Sequence, residues 1–396
     1  FQAASISKPV AATAMLRLVE RGALALDADV NRYLASWRVP ETALTATEKV
    51  TLRRLASHTA GLTVHGFPGY PAGDPLPTPV QVLNGDPPAN TEPVRVDAVP
   101  GTTCRYSGGG TVVMQQLLVD ATGAPFPALM RELVLGPAGM THATFEQPLP
   151  PGLAGAAARA HDDAGAVLPG GWRVYPELAA AGLWATPTDL AAWAVAIADA
   201  RAGRPDALLS RDTAGEMLAA PWRDAGGDGV GLGPFVGGHG RGFHFGHGGT
   251  NAGFHSELIA YPDAGVGAAV MANGDSSPLL IRELLLALAA EYDWPEYGPK
   301  RVAAVALEPG VAAGLAGGYR LQVGPGIPAE VRWEGGRLLL LAPRIPVEEL
   351  LPESGTSFVT STLGWRVTFA RDAAGRATAL TVARAHGPPV EGERVS

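Results

Sequence analysis

The chain has 396 residues, 46% hydrophobic and 17% charged, with 38 acidic against 30 basic side chains and a formal net charge of -8. This is the composition of a globular protein with ample core, and its length suggests about two or three domains. The acidic balance and the lack of any basic run argue against nucleic acid as a partner, and no apolar stretch is long enough to span a bilayer.

In chain order, the first element is a helix over Ser5 to Arg21, with Val10, Ala11, Ala14, Met15, Leu18 and Val19 at helical spacing and Gly22 at its end. It opens on Ser5-Ile6-Ser7-Lys8, an S-x-x-K tetrad. Residues three apart share a helix face, so the Ser5 hydroxyl and the Lys8 amine are placed to touch. A serine hydroxyl needs such a neighbour to become a nucleophile. Lys8, Lys49 and Lys300 are the only lysines, which sets Lys8 apart.

Thr51 reads as the N-cap of a second, short helix, which runs into Ser57-His58-Thr59-Ala60-Gly61-Leu62. Here His58 is expected to stabilise a loop rather than do chemistry. Val64 to Gly101 is rich in Pro and Gly and reads as a long irregular excursion, with Phe67, Pro68, Tyr70 and Pro71 as a possible cleft wall. Tyr106-Ser107-Gly108 follows, and then a helix from Thr111 to Thr122. Thr186-Pro187-Thr188-Asp189 is a helix start with cap, first-turn proline and capping acid, leading into Leu190 to Ala200.

His247-Gly248-Gly249-Thr250 precedes two strands, His255 to Tyr261 and Val266 to Ala272, joined by the turn Pro262 to Gly265. Leu279 to Tyr292 reads as the last helix of a domain spanning residues 1–296. Residues 297–310 read as a linker. Residues 311–396 read as a small all-β module, with strands at Ala329 to Trp333, Arg337 to Leu341, Ser357 to Thr360, Trp365 to Ala370 and Ala379 to Ala383.

In this order the three motif sets resemble the S-x-x-K, Y-x-N and K-T-G elements of class C β-lactamases and DD-peptidases. More broadly the chain resembles the β-lactamase-related serine hydrolases called CubicO-like. Leu55 to Leu62, Gly139-Met140, Gly182 to Thr186 and Gly231 to Gly233 match as well. The resemblance implies an α+β fold of the β-lactamase/transpeptidase type, an antiparallel sheet flanked by helices with a helical subdomain and the nucleophile between them. It implies that the last module is a barrel-like or lipocalin-like appendage. Relatives carry a helix and two strands before the S-x-x-K helix, so the chain, which starts at Phe1, reads as a fragment or a processed chain.

The resemblance also assigns roles. Ser5 attacks a carbonyl to form an acyl-enzyme. Lys8 and Tyr106 share the proton transfers, with the identity of the base left open. The backbone N–H groups of Ser5 and Thr250 form the oxyanion hole. Ser107, Gly108, His247, Gly248 and Gly249 line the substrate. Gly108 stands where relatives have asparagine and His247 where they have lysine. An imidazole gives weaker, pH-dependent recognition of a carboxylate than a lysine does. The expected substrate is therefore a small ester, amide or D-amino-acid peptide, taken by an esterase or D-aminopeptidase rather than an efficient β-lactamase. A penicillin-binding receptor that is acylated without turnover, or a degraded structural relative, is the alternative. No cofactor is implied, and His161-Asp162-Asp163 and His239, His244 and His247 lack metal-ligand spacing. Cys104 is the only cysteine and reads as a passive neighbour.

Overall fold

Helix α1 (Ser7–Glu20) is buried on nearly every side, from Ser7 through Leu16 and at Leu18. That explains an apolar stripe too wide for an amphipathic surface helix. Its Thr13 hydroxyl accepts from the Trp193 indole at 3.1 Å, and it ends where Gly22 takes a left-handed φ of +71°. The structure is a computed structural model. It describes residues 1–223, 227–295, 297–298, 302–322, 326–343, 345–383 and 389–395, and the chain divides into two compact units, Phe1–Gly298 and Pro299–Ser396.

In the first unit, α2 (Leu52–Ala56) is capped by Thr51 as expected, its hydroxyl accepting from the Arg54 N–H. Helix α3 (Gly108–Thr122) starts three residues before the expected Thr111. Three successive glycines disfavour a helix by propensity, but Ser107 caps them, its hydroxyl accepting the Gly110 N–H at 2.9 Å. A Cβ at Gly109 would lie 2.8 Å from the Thr63 carbonyl oxygen and from Val94, so the glycine is a packing requirement. The short α4 (Leu178–Ala181) packs on α1 and α3. Helix α5 (Pro187–Ala202) carries the capping box of Thr186 and Asp189, and α6 is Pro278–Glu291.

Six strands form an antiparallel meander: β1 (Trp222–Arg223), β2 (Gly229–Val230), β3 (Phe235–Gly237), β4 (His244–Asn251), β5 (Phe254–Tyr261) and β6 (Val266–Ala272). The histidine–glycine motif lies inside β4 rather than ahead of the strands. Phe245, His247, Gly249 and Asn251 alternate onto its helix-covered face, where Phe245 meets Trp193. Strand β3 pairs only with residues 244–246. From His247 onward that edge of β4 has no strand partner among the described residues. The expected irregular excursion contains one capped helix, Pro79–Asn84, and a two-residue ladder of Tyr70 with Val174 and Pro71 with Arg173.

In the second unit, residues 302–308 carry no regular element, and residues 299–301 of the expected linker lie outside the described residues. Helix α7 (Pro309–Leu315) then leads into a closed eight-stranded antiparallel barrel. Its strands are β7 (Gly317–Leu321), β8 (Ile327–Glu334), β9 (Arg337–Leu341), β10 (Glu348–Pro352), β11 (Ser357–Thr360), β12 (Arg366–Arg371), β13 (Ala377–Ala383) and β14 (Val390–Arg394). Val331, Leu340, Phe358, Val367, Phe369 and Leu380 fill it. Strands β7, β10 and β14 were not foreseen. Their glycines and charges hide the period-two pattern, and closure, which removes the edges, is what pairs them.

Candidate functional site

Ser5 sits in a single 3₁₀ turn, Ala4–Ile6, at the entry to α1. Ala4 holds a φ of +50°, a left-handed conformation costly for an alanine. The turn is clamped from both sides. The Ala3 N–H donates to the Leu183 carbonyl at 2.8 Å, and the Ala3 carbonyl accepts from the Ser256 hydroxyl at 3.0 Å. Ser7 is fully buried; its hydroxyl donates to the Ala4 carbonyl at 2.5 Å and accepts from the Leu183 N–H at 3.0 Å. Ser7 therefore builds the turn, while Ser5 is partly open to solvent.

Lys8 is 4% exposed. Its Nζ donates to Ser5 Oγ at 2.9 Å and to the Ala180 carbonyl at 2.8 Å, and it lies 4.8 Å from the centre of the Tyr106 ring. Burial pushes the amine down to about 7. The structure thus brings Ser5, Lys8 and Tyr106 together. Burial pushes the Tyr106 phenol well above its ordinary value, and a hydrogen bond with Ser5 offsets part of this.

The Tyr106 hydroxyl is 3.5 Å from His247 Nε2. His247 Nδ1 faces the Gly248 carbonyl oxygen at 2.5 Å. A carbonyl only accepts, so Nδ1 carries the proton and the Nε2 lone pair faces the phenol. Burial first, and the Lys8 charge second, push His247 down to about 3. The imidazole is neutral at working pH, so the expected pH-dependent cation does not form there.

The glycines are explained by what surrounds them. A Cβ at Gly249 would lie 2.3 Å from the Ala3 carbonyl oxygen and from Ser256 Oγ, so only glycine lets β4 run against the Ser5 turn. A Cβ at Gly248 would meet Glu257 Oε2 at 2.8 Å. One at Gly108 would meet the Phe67 ring at 3.0 Å and the His65 carbonyl oxygen at 3.1 Å. The loop thus fills the space an asparagine would need. Ser107 donates to the Thr63 carbonyl at 2.7 Å and accepts from the Gly110 N–H at 2.9 Å, so its hydroxyl serves the cap of α3. Thr250 is exposed one residue beyond the Gly249–Ala3 approach, with its hydroxyl 3.3 Å from His255 Nδ1.

Three neighbours of Tyr106 were missed or undervalued in the sequence. The His58 ring lies 4.3 Å from its ring centre, the His65 ring 5.0 Å, and Phe235 stacks on it at 6.2 Å and 13°. The Ser57 to Leu62 segment was the available signal for His58. Another residue missed is Glu177. It is fully buried, and burial pushes it up to about 7, with its own backbone N–H and the Tyr70 hydroxyl offsetting part of the shift. Cys104 is pushed up to about 11 by burial and is a poor nucleophile. Among the described residues no group of three or more histidine, cysteine or acidic side chains could hold a metal ion, and no helix is long and apolar enough to cross a membrane.

The profile of the Beta-lactamase family matches residues 1–291. Esterase EstB of Burkholderia gladioli is 33% identical over 157 residues, 37% of this chain and 38% of EstB. The putative penicillin-binding protein PbpX of Bacillus subtilis (strain 168) is 28% identical over 145 residues, 37% of this chain and 32% of PbpX. The matched stretches thus span 38% and 32% of the length of these curated relatives. Among solved structures, that of SurE with D-Leu superposes with a TM-score of 0.56 at 25% identity, covering 100% of this chain and 87% of SurE. With the profile spanning the Ser5 turn, the Tyr106 segment and strand β4 alike, the chain belongs to the β-lactamase family.

Proposed function

We propose that this chain is a serine hydrolase acting through an acyl-enzyme, with Ser5 as nucleophile, Lys8 as its base and Tyr106 as the group that passes the proton on. The observation that carries the reading is the 2.9 Å contact between Lys8 Nζ and Ser5 Oγ. Burial holds the amine at about 7, so a large share is neutral at neutral pH and able to take the Ser5 proton. Burial keeps the Tyr106 phenol protonated, which makes it the poorer base and the better relay.

Ser5 Oγ bonds to the carbonyl carbon and its proton passes to Lys8 Nζ. As the tetrahedral intermediate collapses, the Tyr106 hydroxyl gives its proton to the leaving oxygen or nitrogen and is refilled from Lys8. Water then attacks the acyl carbon, giving its proton to the same pair, which passes it to Ser5 Oγ as the acyl–oxygen bond breaks and the acid is released. The Ser5 and Thr250 N–H groups stabilise the oxyanion, each such donor being worth about 10²-fold or more in rate. A substrate backbone lies along the unpaired edge of β4 past Gly248 and Gly249.

The substrate class is an ester or amide without a carboxylate to anchor. His247 is neutral, and Phe67 fills the space beside Gly108. An esterase or a hydrolase of D-amino-acid derivatives fits this best. EstB is named an esterase, and the SurE structure holds D-Leu, which supports both. The test is labelling by a fluorophosphonate, followed by a panel of aryl ester, D-amino-acid anilide and chromogenic cephalosporin. The label is expected to be lost in Ser5→Ala and only slowed in Ser7→Ala, which loosens the turn but keeps the nucleophile, with the ester or the anilide turned over faster than the cephalosporin. Labelling and hydrolysis at the wild-type level in Ser5→Ala would sink the reading.

A further inference from the structure

We infer that His58 is a positioning residue for Tyr106, a role that rests on the proposed part of Tyr106 in proton transfer. His58 grips the chain on both sides of that tyrosine. Its carbonyl accepts the Arg105 N–H at 2.8 Å, and its Nδ1 accepts the Ser107 N–H at 3.2 Å. Between these two anchors its ring lies 4.3 Å from the Tyr106 ring at 42°. Phe235 stacks on the same phenol, and Lys8 Nζ lies 4.8 Å from its centre. The phenol is thus held by direct contacts to its ring and by backbone contacts to both neighbours.

The arrangement is made at a cost. The backbone at His58 is left-handed, with φ +57°. With Nδ1 accepting, the proton sits on Nε2, which is buried and has no partner. A buried donor left unpaired is destabilising, and an apolar side chain would avoid it. What an apolar side chain could not do is accept the Ser107 N–H. Burial keeps the imidazole uncharged, with Lys8, His247 and His65 as the other titratable groups facing it.

Two substitutions separate the ring from the acceptor. Asparagine tolerates the left-handed backbone and offers its amide oxygen in place of Nδ1, but has no ring. Phenylalanine keeps the ring and loses the acceptor. In the full chain, with an aryl ester as substrate, His58→Phe is expected to lower kcat by about 10²-fold, as for a misplaced catalytic group, with KM little changed. His58→Asn is expected to recover about tenfold of that loss by keeping the Ser107 anchor.

A loosened phenol also uncovers Lys8, so its amine is better solvated and titrates higher. The acid limb of kcat should therefore move to higher pH in His58→Phe. If His58→Phe does not fold, a lowered kcat and a raised acid limb in His58→Asn support the role alone. Wild-type kcat and limb in His58→Asn overturn it, as does a fall in kcat that follows lost thermal stability with the limb unmoved. Tyr106→Phe separates the two claims. Loss of activity there with active His58 variants ends only this inference, whereas retained activity in Tyr106→Phe ends the proposed role of Tyr106 itself.

Discussion

The Tyr106 hydroxyl lies 3.5 Å from His247 Nε2, so the second nitrogen of the imidazole faces the phenol. The imidazole is fixed as one tautomer by the Gly248 carbonyl and kept neutral by burial and by Lys8. In the proposed mechanism it therefore serves the phenol as a neutral acceptor and offers no cation to an anionic substrate. His247→Lys is expected to reverse this balance. A second amine beside Lys8 should lower kcat on an aryl ester by about tenfold through like-charge repulsion and lost orientation of Tyr106. It should also lower KM for a carboxylate-bearing cephalosporin. Steady-state kinetics on both substrates checks this, and an unchanged ratio of the two kcat/KM values would refute it.

The pH dependence of hydrolysis follows from Lys8. The ammonium form donates to Ser5 and is not a base, whereas the neutral amine is one. Burial lowers the amine to about 7. The proposed mechanism therefore requires ester hydrolysis to fall as pH drops below about 7 and to level off above it. Lys8→Arg keeps a charge that does not titrate in this range, and it should abolish the limb together with the activity. A kcat profile flat from about pH 5 to 9 would contradict the assignment of Lys8 as base.

How much of this could be read beforehand depended on whether the determining chemistry is local. The starts at Thr51 and Thr186 were legible because a cap and its first turn lie within four residues. The Ser5–Lys8 pair was legible from its spacing, although the helix starts at Ser7 rather than Ser5 and the clamped 3₁₀ turn that carries Ser5 was not foreseen. The start at Gly108 was not. The reason for three glycines there is the Thr63 to Phe67 loop, distant in sequence and close in space. Strand β4 was obscured because Gly246, Gly248 and Gly249 are chosen by what they touch across the sheet and at Ala3, not by strand propensity. The neutrality of His247 and the contact of His58 with Tyr106 are products of burial, which no spacing displays.

Gly108 gives a steric prediction of the same kind. An asparagine side chain would run into the Phe67 ring and the His65 carbonyl. Overpacking of this sort costs about 1–3 kcal/mol. Gly108→Asn should lower stability by that amount, and Phe67→Ala in the same chain should recover part of it, since the ring edge is the nearest atom. Denaturant unfolding of the two single variants and the double variant checks this through the coupling between the sites. Strictly additive losses would show that Phe67 is not the obstacle.

Glu177 makes a prediction about stability rather than rate. Its carboxyl, fully buried at the head of α4, is pushed up from 4.5 to about 7 by desolvation, which outweighs the contacts with its backbone N–H and Tyr70. Between those values the folded state holds a proton that the unfolded state has released. Stability from this group is therefore lost as pH rises through that window and stays lost above about 7. Glu177→Gln removes the titrating group with little change of shape. It should leave stability nearly unchanged at about pH 4 and raise it by on the order of 3 kcal/mol at about pH 8. The same helix supplies the Ala180 carbonyl that accepts from Lys8. If Glu177 is only a cost to folding, the variant keeps its hydrolytic rate while gaining stability. Thermal unfolding at the two pH values, read beside ester hydrolysis, decides it, and an equal shift in melting temperature at both pH values would show that the carboxylate is stabilised by something other than its proton.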